Sequence, residues 1–229
     1  MLTITNEDNM AMMARYPDKH FDLAIVDPPY GIDMSNPKFR SRSNRPNSKI
    51  NAGKSQFKKN NWDSECPDIE YFKELLRVSE NQIIWGANYF CEFIPSGKGW
   101  IFWDKQMGDN NFSAGEFAYQ SITIKSHSVS IPSMRVNNTR IHPTEKPTGL
   151  YKWLLSRFAK PGMQILDTHL GSGSIAIACH DYGFDLTACE LDKDYYDAAM
   201  KRIDNYVRNA TKLSFDKPKE NITQSGIVF

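Results

Sequence analysis

Short apolar runs recur along the chain, and most of them end at a polar residue or a glycine. Several are continuous rather than alternating, which is typical of strands that are buried on both faces of a parallel sheet. The runs that predict strands are Leu2–Thr5, Phe21–Val26, Gln82–Trp85, Trp100–Trp103, Phe117–Ile124, Gln164–Leu166 and Phe184–Cys189.

Segments with helical periodicity lie between these runs. Leu150, Trp153, Leu154 and Phe158 form one stripe at i, i+3, i+4 and i+8. Similar stripes start at Tyr71 and at Tyr195. Strands that alternate with helices predict an α/β, doubly wound fold, and we expect one domain over residues 1–229.

One segment, residues 34–62, contains no acidic residue and cannot build a core, so it predicts a long mobile loop. It is either a solvated insertion or an arm that orders on contact with phosphates. We favour the arm, because the charge is segregated within a chain whose net charge is only +1. Its basic residues are Lys38, Arg40, Arg42, Arg45, Lys49, Lys54, Lys58 and Lys59.

The remaining composition narrows the class of protein. No apolar run approaches the roughly 20 residues that a membrane span needs, and the first residues lack the plan of a signal peptide. The four cysteines are too widely spread for a disulfide framework or a metal site. We therefore expect a reduced, cytoplasmic protein without membrane contact and without a bound metal.

The run Leu23–Val26 ends abruptly in Asp27-Pro28-Pro29-Tyr30. The two prolines fix the backbone and offer no NH group, so the turn is rigid. It is either a simple turn or a site in which the Asp27 carboxylate and the Tyr30 ring are functional groups.

A glycine-rich turn follows the strand that ends at Asp167. Gly171 and Gly173 permit a tight turn, and a helix starting near Ser174 would point its NH groups at a ligand. About twenty residues on, the next strand ends in Glu190, where a carboxylate can accept hydrogen bonds from two ribose hydroxyls. The missing third glycine favours a single nucleoside over a dinucleotide. The alternative is a tight turn with a surface glutamate.

Three motifs together resemble those of the amino-methylating DNA methyltransferases: residues 27–30, Leu170-Gly171-Ser172-Gly173 and His142-Pro143-Thr144-Glu145-Lys146-Pro147. These enzymes transfer a methyl group from S-adenosylmethionine to the exocyclic amine of adenine or cytosine. The catalytic motif comes first and the cofactor turn last, which resembles the permuted β group. The resemblance extends from about Leu2 to Val207.

The resemblance implies a Rossmann-like fold with a seven-stranded, mostly parallel sheet, helices on both faces and one antiparallel strand near an edge. The strand Leu2–Thr5 would lie beside Phe184–Cys189. The catalytic motif and the cofactor turn would meet at neighbouring strand ends, where open α/β sheets bind ligands.

The resemblance also implies roles for individual residues. Asp27, Pro28, Pro29 and Tyr30 would be catalytic. Lys146 would lie near the cofactor carboxylate or a DNA phosphate. His169, where the family usually has Phe, would stack on the cofactor or face solvent. Asp8 would lie beside the cofactor adenine, with Asn6 or Glu7 as alternatives. The methionine part and the ribose would be held by Asp167, His169, Gly171, Ser172, Gly173 and Glu190.

The partner that the resemblance implies is double-stranded DNA, and it leaves room for a homodimer. A short recognition region over residues 104–140 would read the target, with Arg135 and Arg140 reaching base edges or phosphates. Adenine N6 is favoured as the acceptor, because Asp in the first motif position is commoner among adenine enzymes. Cytosine N4, an RNA substrate and an inactive nucleic-acid-binding module are the alternatives.

Neutralising the basic residues of segment 34–62 should weaken DNA binding and flatten its salt dependence. Each lost phosphate contact should reduce the slope of log K against log salt by about 0.9. Titrating labelled duplex DNA at several salt concentrations measures both effects, and unchanged affinity would leave the segment as a solvated insertion.

Overall fold

A computed structural model describes residues 1–32, 66–107, 113–133 and 141–215. The basic residues Lys38 to Lys59 of segment 34–62 lie outside the described residues, and so do Arg135 and Arg140. Within the described ranges, no helix is both long and apolar enough to cross a bilayer.

The described chain alternates strands and helices, as the periodicity predicts. The strands are β1 (Leu2–Thr5), β2 (Phe21–Val26), β3 (Ser79–Trp85), β4 (Gly99–Asp104), β5 (Gly115–Gln120), β6 (His127–Ser130), β7 (Gln164–Asp167) and β8 (Asp185–Cys189). The helices are α1 (Asn9–Met13), α2 (Ile69–Val78), α3 (Thr148–Phe158), α4 (Ser174–Tyr182) and α5 (Lys193–Phe215), and a 3-10 turn spans Ala87–Tyr89.

All of these strands form one sheet in the order β1-β8-β7-β2-β3-β5-β4-β6. Every neighbouring pair is parallel except the two pairs that involve β5, which runs antiparallel to both β3 and β4. The predicted position of β1 beside β8 is confirmed, with Leu2 opposite Leu186. The α/β class with a mostly parallel sheet is therefore correct.

The expected number of seven strands is wrong, because the described residues form eight. The additional strand is β6 at the sheet edge, and its sequence, HSVS, buries only Val129. Four residues with one buried apolar side chain are too few to produce a recognisable strand pattern. An edge position explains why so polar a segment still forms a strand.

The predicted strand Phe117–Ile124 is also too long at its end, because β5 stops at Gln120. The Gln120 side chain closes a turn there, with Oε1 accepting from the backbone N–H groups of Ile122 and Thr123 at 2.9 Å each. Beyond this turn Ile124 is 79% exposed. Apolar character alone therefore did not mark the end of the strand.

Apolar side chains cover both faces of the sheet. On one face, strand residues such as Ile25 and Ile83 pack with α3, α4 and α5. On the other face, Val26 and Ile84 pack with α1 and α2. Burial on both faces is the physical reason why β2 and β3 contain continuous apolar runs rather than alternating ones.

The centre of the sheet determines where a site forms. Strands β2 and β7 are parallel neighbours, with Leu23 opposite Ile165 and Ala24 opposite Leu166. Because parallel neighbours end at the same edge of the sheet, the segments after β2 and β7 lie side by side. These segments are the proline turn at residues 27–30 and the glycine turn at residues 168–173.

Candidate active site

A cleft of about 720 Å³ lies at the carboxyl edge of the sheet. Asp27, Pro29 and Lys146 line it, and so do Gly171 and Glu190 from the glycine turn and the end of β8. The tertiary structure thus brings the proline turn and the glycine turn into one cavity. A cleft of this size is in the range of ordinary small-molecule sites.

The Asp27 carboxylate has a partner on each oxygen. Tyr30 Oη donates a hydrogen bond to Asp27 Oδ1 at 2.6 Å. The Lys146 ammonium forms an ion pair with Asp27 Oδ2 and donates to Tyr30 Oη at 3.2 Å. The Lys146 side chain is only 3% exposed, so its charge must be balanced by neighbouring carboxylates.

A second carboxylate, that of Glu116 on β5, completes this charge balance. Its Oε2 lies 3.2 Å from Lys146 Nζ and 3.4 Å from Tyr30 Oη, and its Oε1 forms an ion pair with Lys105. Burial would raise the pKa of Glu116, but attraction to Lys146 and Lys105 outweighs burial and lowers it to about 2. Glu116 is therefore ionised across the physiological range.

Burial and ion pairing also act in opposite directions on the pKa of Lys146. Burial would lower this pKa, but attraction to Asp27 and Glu116 outweighs burial and raises it. Lys146 therefore stays protonated. The ammonium of Lys146 lies at the Asp27 carboxylate, within the cleft where the two predicted half-sites meet.

Aromatic side chains surround Tyr30. The Tyr89 ring stacks on the Tyr30 ring, with centroids 5.2 Å apart and planes 16° from parallel, and Phe90 approaches it edge-on at 6.1 Å. Gly86 has a φ of +67°, and a Cβ at this position would lie 2.1 Å from Tyr30 Cε1. A glycine is therefore needed beneath the ring.

In the part of the cleft that is predicted to hold the cofactor, backbone N–H groups hold the Glu190 carboxylate. Gly171 N–H donates to Glu190 Oε2 at 2.8 Å, and Asp192 N–H donates to Glu190 Oε1 at 3.0 Å. Gly171 has a φ of +54°. The glycine turn thus orients Glu190, and each carboxylate oxygen retains a lone pair for a further donor.

Asp167 lies at the end of β7 and is 2% exposed. Its Oδ1 accepts a hydrogen bond from His169 N–H at 3.0 Å. Burial raises the pKa of Asp167 to about 8, with like-charge repulsion from Asp27 adding to the effect. Asp167 therefore holds its proton to a higher pH than an exposed aspartate does.

His169, the residue that replaces the usual Phe, lines the cleft and does not simply face solvent. Asn9 Nδ2 lies 3.0 Å from its Nε2, and Thr168 Oγ1 lies 2.9 Å from its Nδ1. Tyr71 packs edge-on against its ring at 5.5 Å. Burial lowers the pKa of His169 to about 4, so the ring is neutral.

The remaining predicted cofactor residues have structural partners in the same region. The Ser172 carbonyl accepts a hydrogen bond from Arg202 Nη1 at 2.8 Å, and Arg202 Nη2 also pairs with Glu145 Oε1 at 3.1 Å. Gly173 has a φ of +73° immediately before α4. Arg202 of α5 therefore connects the glycine turn to the segment that carries Lys146.

Three neighbouring residues were candidates for the adenine contact. Asp8 and Glu7 both line the cleft. Glu7 is engaged by Arg15 at 2.6 Å, whereas Asn6 donates to the backbone carbonyl of Glu190 at 2.7 Å. Asp8 caps α1 by accepting from Ala11 N–H at 3.0 Å. Of the two carboxylates that line the cleft here, only that of Asp8 has no ion pair among the described residues.

Sequence reasoning named Glu116 only as a candidate for placement, without a role, and did not assign Tyr89 or Arg202 to the site. The sequence does contain a sign that Glu116 is unusual. It lies two residues before the core residue Ala118 on the same strand, so its side chain points to the same buried face although it is charged. No local pattern marks Tyr89 or Arg202, because their partners are distant in sequence. In the described ranges, no group of three or more His, Cys, Asp or Glu side chains could hold a metal ion.

With this geometry, comparison with known proteins identifies the family. The sequence model of the N6- and N4-specific methyltransferases, described as DNA methylase, matches residues 84–201, just over half of the chain. The chain belongs to this family of DNA amino-methyltransferases. The predicted resemblance is confirmed, and S-adenosylmethionine is the methyl donor of the family.

Two curated relatives are similar over different lengths. The putative methylase YubD of Escherichia coli (strain K12) is 26% identical over an aligned length of 216 residues, and the match covers 86% of this chain and 87% of that protein. The type II methyltransferase M.HpaI of Haemophilus parainfluenzae is 29% identical over 68 residues. That match spans 30% of this chain and only 22% of M.HpaI.

Solved structures share the fold over nearly the whole chain. The complex of M1.HpyAVI with S-adenosylmethionine (SAM) has a TM-score of 0.56 at 17% identity, covering 89% of this chain and 99% of that one. TTHA0409 of Thermus thermophilus, complexed with S-adenosyl-L-methionine, has a TM-score of 0.56 at 15% identity, covering 90% and 95%. The cytosine-N4-specific PvuII DNA methyltransferase has a TM-score of 0.55 at 10% identity, covering 92% and 94%.

The unusual pKa of Asp167 predicts how the stability of the ligand-free chain depends on pH. The folded state keeps a proton that the unfolded state loses above the ordinary pKa of 3.8, so this stabilisation is present below 3.8 and is lost as the pH rises through about 8. The unfolding free energy of Asp167→Asn should therefore decrease less than that of the wild type when the pH is raised from about 5 to about 8. Urea denaturation at both pH values tests this, with the exposed Asp204→Asn as a matched control. Identical pH dependence in wild type and Asp167→Asn would contradict it.

Proposed function

We propose that this chain transfers the methyl group of S-adenosylmethionine to the N6 amine of an adenine flipped out of double-stranded DNA. The observation that carries the proposal is the single cleft that holds both Asp27, next to Tyr30, and Glu190, oriented by the glycine turn. A carboxylate for the amine and a carboxylate for a ribose thus face one cavity. The family assignment supports the same chemistry.

The cleft offers groups that match the cofactor part by part. In this proposal Glu190 accepts hydrogen bonds from the ribose hydroxyls, and the glycine turn allows close approach to the methionine part. Asp8, which lines the same cleft, is assigned to the adenine. His169 lines the cleft next to the turn, and the buried Asp167 carboxylate accepts a hydrogen bond from its backbone N–H. When bound, S-adenosylmethionine supplies a methyl group on a sulfonium that is open to in-line attack.

Asp27 acts on the amine. An exocyclic amine is a poor nucleophile, since its lone pair is delocalised into the ring. Asp27 accepts a hydrogen bond from it, and a backbone carbonyl of the Pro28-Pro29 segment accepts the other, so that the lone pair localises on nitrogen. As positive charge grows on the nitrogen, the fixed carboxylate stabilises it. The amine nitrogen then releases a proton to solvent.

Tyr30 and Tyr89 bind the base. Extruding a base costs a few kcal/mol, and stacking on an aromatic side chain contributes about 1–3 kcal/mol. Tyr30 is held in place by the Asp27 hydrogen bond and by the glycine beneath its ring. Tyr89 stacks on Tyr30 and is 47% exposed, so the stack extends towards the surface from which the DNA would approach.

The basic residues outside the described ranges supply the contacts with DNA phosphates in this proposal. They are Lys38, Arg40, Arg42, Arg45, Lys49, Lys54, Lys58, Lys59, Arg135 and Arg140. Adenine is favoured over cytosine because the first motif begins with Asp27. Cytosine N4 is the second candidate, since the family covers both acceptor amines.

Incubating the chain with methyl-labelled S-adenosylmethionine and unmethylated duplex DNA should place the label in N6-methyladenine. Digestion to nucleosides and mass analysis identifies the product. Label in N4-methylcytosine would replace adenine by the second candidate. Label in RNA alone, or in neither nucleic acid, would contradict the proposal.

Asp27→Ala should abolish turnover while leaving cofactor affinity within about twofold, because Asp27 acts on the amine whereas Glu190 and the glycine turn hold the cofactor. Calorimetric titration with S-adenosylmethionine and a steady-state methylation assay measure the two effects. Glu190→Gln serves as the opposite case and should weaken cofactor binding. Loss of cofactor binding in Asp27→Ala would contradict this division of roles.

A further inference from the structure

Both oxygens of the Asp27 carboxylate have partners within the chain. Oδ1 accepts the Tyr30 hydroxyl at 2.6 Å, and Oδ2 is paired with the Lys146 ammonium. A base amine that hydrogen-bonds to Asp27 competes with one or both of these groups. The ammonium then needs another counterion, since a buried charge without a partner is strongly destabilising.

Glu116 is placed to be that counterion. Its Oε2 faces the same two groups as Asp27, at 3.2 Å from Lys146 Nζ and 3.4 Å from Tyr30 Oη. Both contacts are longer than those to Asp27, so Glu116 is the weaker partner in this state. A small rotation of the flexible lysine stem would exchange one carboxylate for the other.

Lys105 prevents Glu116 from following the ammonium out of place. It forms an ion pair with the other oxygen of the Glu116 carboxylate, Oε1, and its side chain is 12% exposed. Glu116 lies on β5, opposite Trp103 of the neighbouring strand β4, and Lys105 directly follows β4. Glu116 is therefore an anchored acceptor rather than a mobile one.

We propose that Glu116 is a positioning residue for methyl transfer: it takes over Lys146 and the Tyr30 hydroxyl as the target amine takes Asp27. This inference rests on the proposed function. In the resting chain Lys146 neutralises Asp27. Once Lys146 has moved to Glu116, the Asp27 charge is available to the amine at the moment when positive charge grows there. The interaction is therefore stronger in the transition state than in the ground state, which is what accelerates a reaction.

Glu116→Gln tests the proposal, since the amide keeps the shape of the side chain and removes the charge. We expect kcat for DNA methylation to fall roughly tenfold or more, while KM for S-adenosylmethionine stays within about twofold. Glu80→Gln, an exposed position on β3, is the matched control and should behave as the wild type. Unchanged kcat in Glu116→Gln, or a KM for the cofactor that rises together with a loss of thermal stability, would overturn the inference.

Glu116→Asp covers the case in which the amide variant does not fold. It retains the charge on a side chain that is one methylene shorter. Its kcat should therefore lie between those of the wild type and Glu116→Gln. If Glu116→Gln does not fold, the kcat of Glu116→Asp should still lie below that of the wild type. A wild-type kcat in Glu116→Asp would overturn the proposal, as would a kcat no better than that of a folded Glu116→Gln. If the wild-type chain methylates no DNA, both the proposed function and this inference are wrong. If the wild type is active and the Glu116 variants have a normal kcat, only this inference is wrong.

Discussion

The buried ammonium of Lys146 is the interaction on which the rest of the site depends. Two carboxylates, Asp27 and Glu116, face it, and the Tyr30 hydroxyl lies between them. In an interior of low dielectric, such a charge is tolerated only where its partners are fixed in number and position. The prolines after Asp27, the glycine beneath Tyr30 and the anchor on Lys105 each fix one of these partners.

The order of strands in the sheet makes this arrangement possible. Strand β2 lies between β7 and β3, so the carboxyl end that carries Asp27 adjoins the glycine turn on one side and Tyr89 on the other. Strand β5 is inserted between β3 and β4 in the antiparallel direction, so that its first residues, including Glu116, reach the same edge. One reversed strand therefore adds a carboxylate to an edge that otherwise collects only the ends of parallel strands.

Much of the fold could be predicted because buried strands have a local signature. The runs that became β2, β7 and β8 are apolar on both faces, and each is followed by or ends in a carboxylate, so the strands and the groups at their ends could be predicted from the sequence. Strand β6 could not be predicted, because it lies at an edge and buries only one side chain. The end of β5 could not be predicted either, because a turn closed by the Gln120 side chain ends the strand. His169 was recognised as a departure from the family pattern, but its hydrogen bond with Asn9 depends on a contact between residues far apart in sequence.

By itself, the sequence determined which chemical groups lie at the ends of strands. These groups are Asp27 and Tyr30 on a rigid proline turn, and Glu190 next to the glycine turn that contains Gly171. These features are local, since backbone freedom and strand burial depend on neighbouring residues. Only the tertiary structure decided which charges share a partner: Asp27 and Glu116 share Lys146, and Lys105 and Lys146 share Glu116. Ion pairing and pKa values depend on distances of a few ångströms in a dry interior, and those distances follow from a strand order that no local pattern contains.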